Sequence, residues 1–247
     1  MSLMINVPDE GWPPPWPLVE ELSAALPDDW ILVGGLMVQL HVRLAGLPLA
    51  RTTDDIDLLV DVAADRPALS RIARSLTQMG FSLHEPGWRG SPAHRMIRQG
   101  DVVDLLVADH LPSHVTPRLG GNRAMSIDGG AQALSRRLDV IISRHGHQTS
   151  ISIPDLLGAL VLKSAAVVAD NRDTLRHLKD AALLAAAITD HLAVRSELHG
   201  SDRRRLLRLA ELLSDPYHPA WIGLPDELRV RGQDTLRILT TERWQMQ

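Results

Sequence analysis

The chain has 247 residues, 45% of them hydrophobic, enough core for one large domain or two small ones. A formal net charge of −4 excludes a globally basic nucleic-acid binder, though not a local basic groove, and the absence of cysteine excludes disulfides and thiolate metal sites. Cysteine-free composition fits a reducing cytoplasm, aromatics at 3% leave few platforms for stacking bases, and no uninterrupted run of ~18 apolar residues suggests a membrane span.

The opening stretch MSLMINVPDEGWPPPWP has no basic segment followed by an apolar one, so it is not read as a signal peptide. Its prolines predict an extended entry, then a short helix over 18–26 ended by Pro27. Trp30, Ile31, Leu32 and Val33 read as a buried strand stopping at Gly34-Gly35. Met37, Leu40 and Leu44 then fall at helical spacing over 36–44, closed by Gly46 and Pro48. A second strand is expected over 55–62 and a helix over 66–80, with Gly80 as its stop. Strands over 94–98 and 102–107 pair about Gln99-Gly100-Asp101, and 110–125 reads as loop. Another hairpin joins 138–143 to 149–153.

After Pro154 the pattern is Ala- and Leu-rich, with helices over 155–169, 174–191 and 202–213 and no strand signal. The fold class expected is therefore α/β, with a small mixed β-sheet core flanked by helices and an all-helical C-terminal domain. The expected domains are 1–153 and 154–247.

Two carboxylates entering an apolar strand need a reason. On a strand, positions two apart share a face at roughly 6.6 Å, so Asp55 and Asp57 converge while Ile56 points to the core. Carboxylates roughly 4 Å apart repel by about 4 kcal/mol at an effective dielectric of 20. The pair is tolerable with a divalent cation, an Arg or a Lys between them, and Mg²⁺ suits carboxylate oxygens and substrate phosphates. Asp104 lies in the apolar run Val102 to Val107 and needs an arginine partner or a metal. Three such aspartates on neighbouring strands would make a divalent-metal site. Gly34 and Gly35, between a strand and a helix, offer backbone N–H groups and close approach to a triphosphate, or simply a tight turn.

Strand, Gly-Gly, helix, Asp-x-Asp and a later strand Asp occur here in that order. The sequence thereby resembles the DNA polymerase β-like nucleotidyltransferase superfamily, and within it the AbiEii-type abortive-infection toxins. The matching positions are Gly34, Gly35, Arg51, Thr53, Asp55, Ile56 and Asp57, with the Val-Asp-Leu-Leu of 103–106 as third motif. Lys163 and the pair Lys179-Asp180 are similar to the family's helical half, although Asp180 is followed by Ala181, Ala182, Leu183 and Leu184 where another aspartate is common. The resemblance spans residues 30–185.

It implies an Mg²⁺-dependent enzyme that moves a nucleoside monophosphate from an NTP to a hydroxyl on tRNA, in a toxin-like role, or on a small molecule. Asp55, Asp57 and Asp104 would be catalytic and hold the metal, with Asp104 as candidate general base. Gly34, Gly35, Arg51, Thr53 and Lys163 would bind the nucleotide. A cognate antitoxin is a possible partner and a membrane is not. The alternative is a catalytically idle member that binds a nucleotide or a partner protein.

Simpler roles stand beside these. Arg51 could pair with Asp54, Thr53 could cap the turn, and Lys163 could reach solvent rather than the cleft. Asp180 reads as a structural partner. His145 and His147 read as a turn rather than a metal pair, and Arg203, Arg204, Arg205 and Arg208 as a solvated helix face rather than an RNA grip.

Overall fold

The computed structural model describes residues 3–7, 12–48, 51–88, 90–144, 146–170 and 172–242. The chain divides into two compact units, Met1–Gln39 with Arg51–Asp155, and Leu40–Ala50 with Leu156–Gln247.

In the first unit β1 (Leu3–Asn6) precedes α1 (Trp16–Ala25), β2 (Trp30–Leu32) and the first half of α2 (Gly34–Leu44), whose residues from Leu40 onward count with the second unit. Helix α1 starts two residues before the expected point, because Pro17 stands in its first turn, where the missing N–H costs nothing. Next come β3 (Asp55–Val60) and α3 (Ala68–Gln78). Leu69, Ile72 and Leu76 bury one stripe of α3, while Arg71 on another face bonds Asp29. Gly80 N–H donates to the Thr77 carbonyl and Phe81 N–H to that of Leu76. That double closure needs the left-handed φ of +90° found at Gly80.

β4 (Ser82–Leu83), β5 (Arg95–Arg98) and β6 (Asp101–Ala108) follow. Gln99 and Gly100, with φ of +49° and +100°, make the two-residue turn that sets Arg98 opposite Asp101. The stretch 110–125, expected to be loop, holds β7 (Arg118–Leu119), β8 (Asn122–Arg123) and the first residue of β9 (Met125–Ile127). These strands have two or three residues, too few to show a period. Then come α4 (Gly130–Ser135), β10 (Arg137–Arg144) and β11 (His147–Pro154).

The main sheet runs β2-β3-β6-β5-β4 with β9 added to β6, and a second sheet runs β1-β10-β11. β3 and β6 are parallel, with Asp57 beside Asp104; β5 is antiparallel to β6, with Arg95 opposite Asp104. Residues 106–108 of β6 pair with β9 beyond the end of β5, so β6 is bonded on both sides along most of its length. Ile56, Leu58, Leu59, Val103 and Leu105 are fully buried, as their continuous apolar runs require of interior strands.

The second unit is helical: α5 (Leu156–Ala169), α6 (Thr174–Ala187), α7 (His191–Ser196), α8 (Asp202–Leu212) and α9 (Asp226–Thr240). The helix expected over 174–191 ends at Ala187 and restarts at α7, whose cap Asp190 accepts from Ala193 N–H at 2.9 Å. α5 is apolar almost all round, as is the second half of α6 from Ala181, and both are buried there accordingly. Gly232 on α9 lies so close to the buried Trp221 ring that a Cβ there would sit 2.8 Å from it. The last carbonyls of α9 accept from Arg195 and Arg203. At least one arginine of the 203–208 run thus caps a helix instead of facing only solvent. Among the described residues no helix is long and apolar enough to cross a membrane.

Ile56 is the clearest test of this core, being fully buried between the two aspartates. Ile56→Ala is expected to cost about 2–5 kcal/mol, read as a lowered urea midpoint with an unchanged slope.

Candidate active site

Strand pairing places the acids. Parallel pairing of β3 with β6 sets Asp57 beside Asp104, and residues two apart on β3 bring Asp55 to the same face. Antiparallel pairing adds Arg95, so Asp57, Asp104 and Arg95 form one row across three strands. Arg95 donates through Nε to Asp104 Oδ1 at 2.9 Å and through Nη2 to Asp104 Oδ2 at 2.8 Å. The same Nη2 reaches Asp55 Oδ2 at 2.9 Å. Asp104 is only 6% exposed, and the bidentate fork supplies the partner that a buried carboxylate needs. Hydrogen bonding to Asp104, then charge from Asp104 and Asp55, holds the Arg95 pKa above its ordinary value against the cost of burial. The guanidinium is therefore permanently charged.

The glycine pair is shaped by its neighbours. Val33 N–H donates to the Asp57 carbonyl at 2.9 Å, drawing the head of α2 onto β3. Gly34 has φ +67°, and a Cβ there would lie 1.8 Å from Asp57 Oδ2. At Gly35 a Cβ would meet the Thr53 side chain at 3.0 Å. Both positions are filled by side chains of the acid strand or of the segment just ahead of it, a reason for glycine that holds before any ligand is considered. Upstream, Trp16 Nε1 donates to Gln39 Oε1, and Gln39 Nε2 to the Arg51 carbonyl, both at 2.9 Å. This relay fixes the segment that leads into Thr53 and Asp55. Arg51 itself donates to the Thr52 carbonyl at 3.0 Å.

The first unit thus gathers Gly34, Gly35, Thr53, Asp55, Asp57 and Asp104, with Arg51 two residues ahead of Thr53. Lys163 belongs to the helical unit, where it is 4% exposed and its Nζ lies 2.8 Å from Asp180 Oδ2, itself 1% exposed. His177, one turn before Asp180 on α6, places Nε2 3.3 Å from Asp170 Oδ2. His145 lies outside the described residues, and His147 opens β11.

Carboxylate oxygens are the ligands that Mg²⁺ prefers, so the donor chemistry of the trio fits that ion. Among the described residues, however, no three His, Asp or Glu side chains are arranged to hold a metal as they stand. Arg95 takes both oxygens of Asp104 and one of Asp55. Sequence reasoning anticipated an arginine or a metal among the acids but did not find Arg95. The only available signal was its distance of four residues from the Gln99-Gly100 turn, which mirrors that of Asp104 on the other arm.

No family model and no curated protein matches the chain. Among solved structures it is similar to an antigenic nucleotidyltransferase-like protein from Paracoccidioides brasiliensis, with 12% identity over 90% of this chain and 91% of that one, at a TM-score of 0.50. The likeness is one of fold: the chain has a nucleotidyltransferase-like architecture, a mixed α/β core followed by helices.

In the helical unit, burial first and then the Lys163 charge push the His177 pKa below the ordinary 6.5. The unfolded chain therefore binds the proton more readily. Stability contributed by neutral His177 is present above about pH 6.5 and is lost as the pH falls below it. The urea midpoint should fall between pH 7.5 and 5.5, and His177→Gln should flatten that slope.

Proposed function

We propose that this protein is an Mg²⁺-dependent nucleotidyltransferase. The observation that carries the reading is the convergence of Asp55, Asp57 and Asp104 on one face of adjoining parallel strands, against Gly34. A nucleotidyltransferase-like fold adds to it. In the reaction, a hydroxyl oxygen of the acceptor forms a bond to the α-phosphorus of an NTP. The bond from that phosphorus to the pyrophosphate breaks, and the hydroxyl proton is lost.

Asp55, Asp57 and Asp104 would hold the Mg²⁺. When bound, the ion supplies Lewis-acid stabilisation of the phosphates and a more acidic acceptor hydroxyl. Asp104 is the candidate for taking the acceptor proton, the role that the resemblance implies for the third aspartate. The backbone at Gly34 and Gly35, at the head of α2, would bind phosphate oxygens through N–H groups and the helix dipole. Thr53 and Arg51, in the segment just ahead of β3, would add a hydroxyl and a guanidinium. Lys163, the remaining nucleotide-binding candidate, is buried against Asp180 in the helical unit.

For the acceptor we favour tRNA, in the toxin-like role that the AbiEii resemblance implies, with a cognate antitoxin as partner. A small hydroxylated molecule such as an aminoglycoside is the competing acceptor. The reducing cytoplasm is the compartment that a cysteine-free chain fits.

A second reading, an idle nucleotide- or partner-binding relative, is favoured by one observation: Arg95 already satisfies Asp104 and Asp55. Incubation with each α-labelled NTP, Mg²⁺ and either total RNA or an aminoglycoside panel separates the two readings. Label should enter one class of acceptor, and Asp57→Ala should reduce it roughly 100-fold or more. Equal labelling by Asp57→Ala would remove the trio from the chemistry, and NTP binding without any labelling would support the idle relative.

A further inference from the structure

We propose that Arg95 is a built-in cationic stopper of the aspartate trio, which a divalent ion must displace from Asp55 and Asp104 in order to bind. The inference rests on the reading of the trio as a cation site and adds what governs loading. An ion and a guanidinium seek the same oxygens, and Arg95 holds three of them, Asp104 Oδ1, Asp104 Oδ2 and Asp55 Oδ2. The two cations exclude each other by contact and by like charge.

Burial decides why a stopper is present at all. The Asp104 side chain is 9% exposed, so leaving it without a cation is costly, and one of the two cations has to stand against it. The Arg95 side chain is 34% exposed, which gives it a way out towards water. Its backbone stays in place: β5 is bonded to β6 on one side and to β4 on the other, so the exchange is a rotation of the side chain alone. Asp55, at 42% side-chain exposure, is the weaker end of the grip and the first contact to yield. An arginine does not lose its charge at any working pH, so the exchange is driven by ion concentration and not by protonation.

The test is Mn²⁺ binding to the 247-residue chain without nucleotide, followed by the electron paramagnetic signal of free Mn²⁺. Arg95→Gln removes the competing charge and should bind Mn²⁺ about tenfold or more tightly than the parent chain. Arg95→Lys keeps a charge but loses the fork on Asp104, so it should fall between them. Should Arg95→Gln not fold, a tighter Arg95→Lys carries the same conclusion. Asp57→Asn should abolish the uptake. Uptake that Asp57→Asn removes but that both Arg95 variants leave unchanged or weakened overturns the stopper while sparing the cation site. Uptake that is absent from every form, or untouched by Asp57→Asn, overturns both.

Discussion

Parallel pairing of β3 with β6 puts Asp57 directly beside Asp104, and much else in the first unit answers to that juxtaposition. Like charges on neighbouring strands destabilise a sheet unless something positive stands with them. Here the counter-charge comes from the strand on the far side of β6, where antiparallel register sets Arg95 opposite Asp104. The apolar residues between the acids hold the arrangement in place. Ile56, Leu58, Val103 and Leu105 are wholly buried, and a one-residue slip would send the acids inward and the aliphatics outward.

The glycine pair shows how one residue type can answer to two demands. Gly34 and Gly35 are where a phosphate-binding turn would want bare backbone. They are also where the Asp57 carboxylate and the Thr53 side chain leave no space for a Cβ. The acid strand and the head of α2 are thereby fitted closely to each other.

In the helical unit the burial of Lys163 with Asp180 makes a different kind of site. A 2.8 Å pair at a few per cent exposure binds α5 to α6, with His177 and Asp170 close along the same helix pair. Lys163 serves the packing of its own unit first, whatever it does for a ligand. This is consistent with an ammonium on a helix that is otherwise apolar all round.

Long periodic segments were readable from the sequence because burial of one face imposes a period: the stripe of α3, the interior strands β3 and β6, and the Ala- and Leu-rich helices α5 and α6. Asp55 and Asp57 could be placed on one face for the same reason. The two- and three-residue strands β7, β8 and β9 are too short to carry a period: β7 and β8 pair with each other across Gly120-Gly121, and β9 takes its partner from β6. α9, with its mixed polar sequence, is held by Trp221 against Gly232 and by carbonyl caps from Arg195 and Arg203. The sequence alone determined that Asp104 required a partner of opposite charge, since a buried carboxylate cannot stand unpaired. Only the tertiary structure decided that it is Arg95, because strand register brings together residues that no local pattern connects.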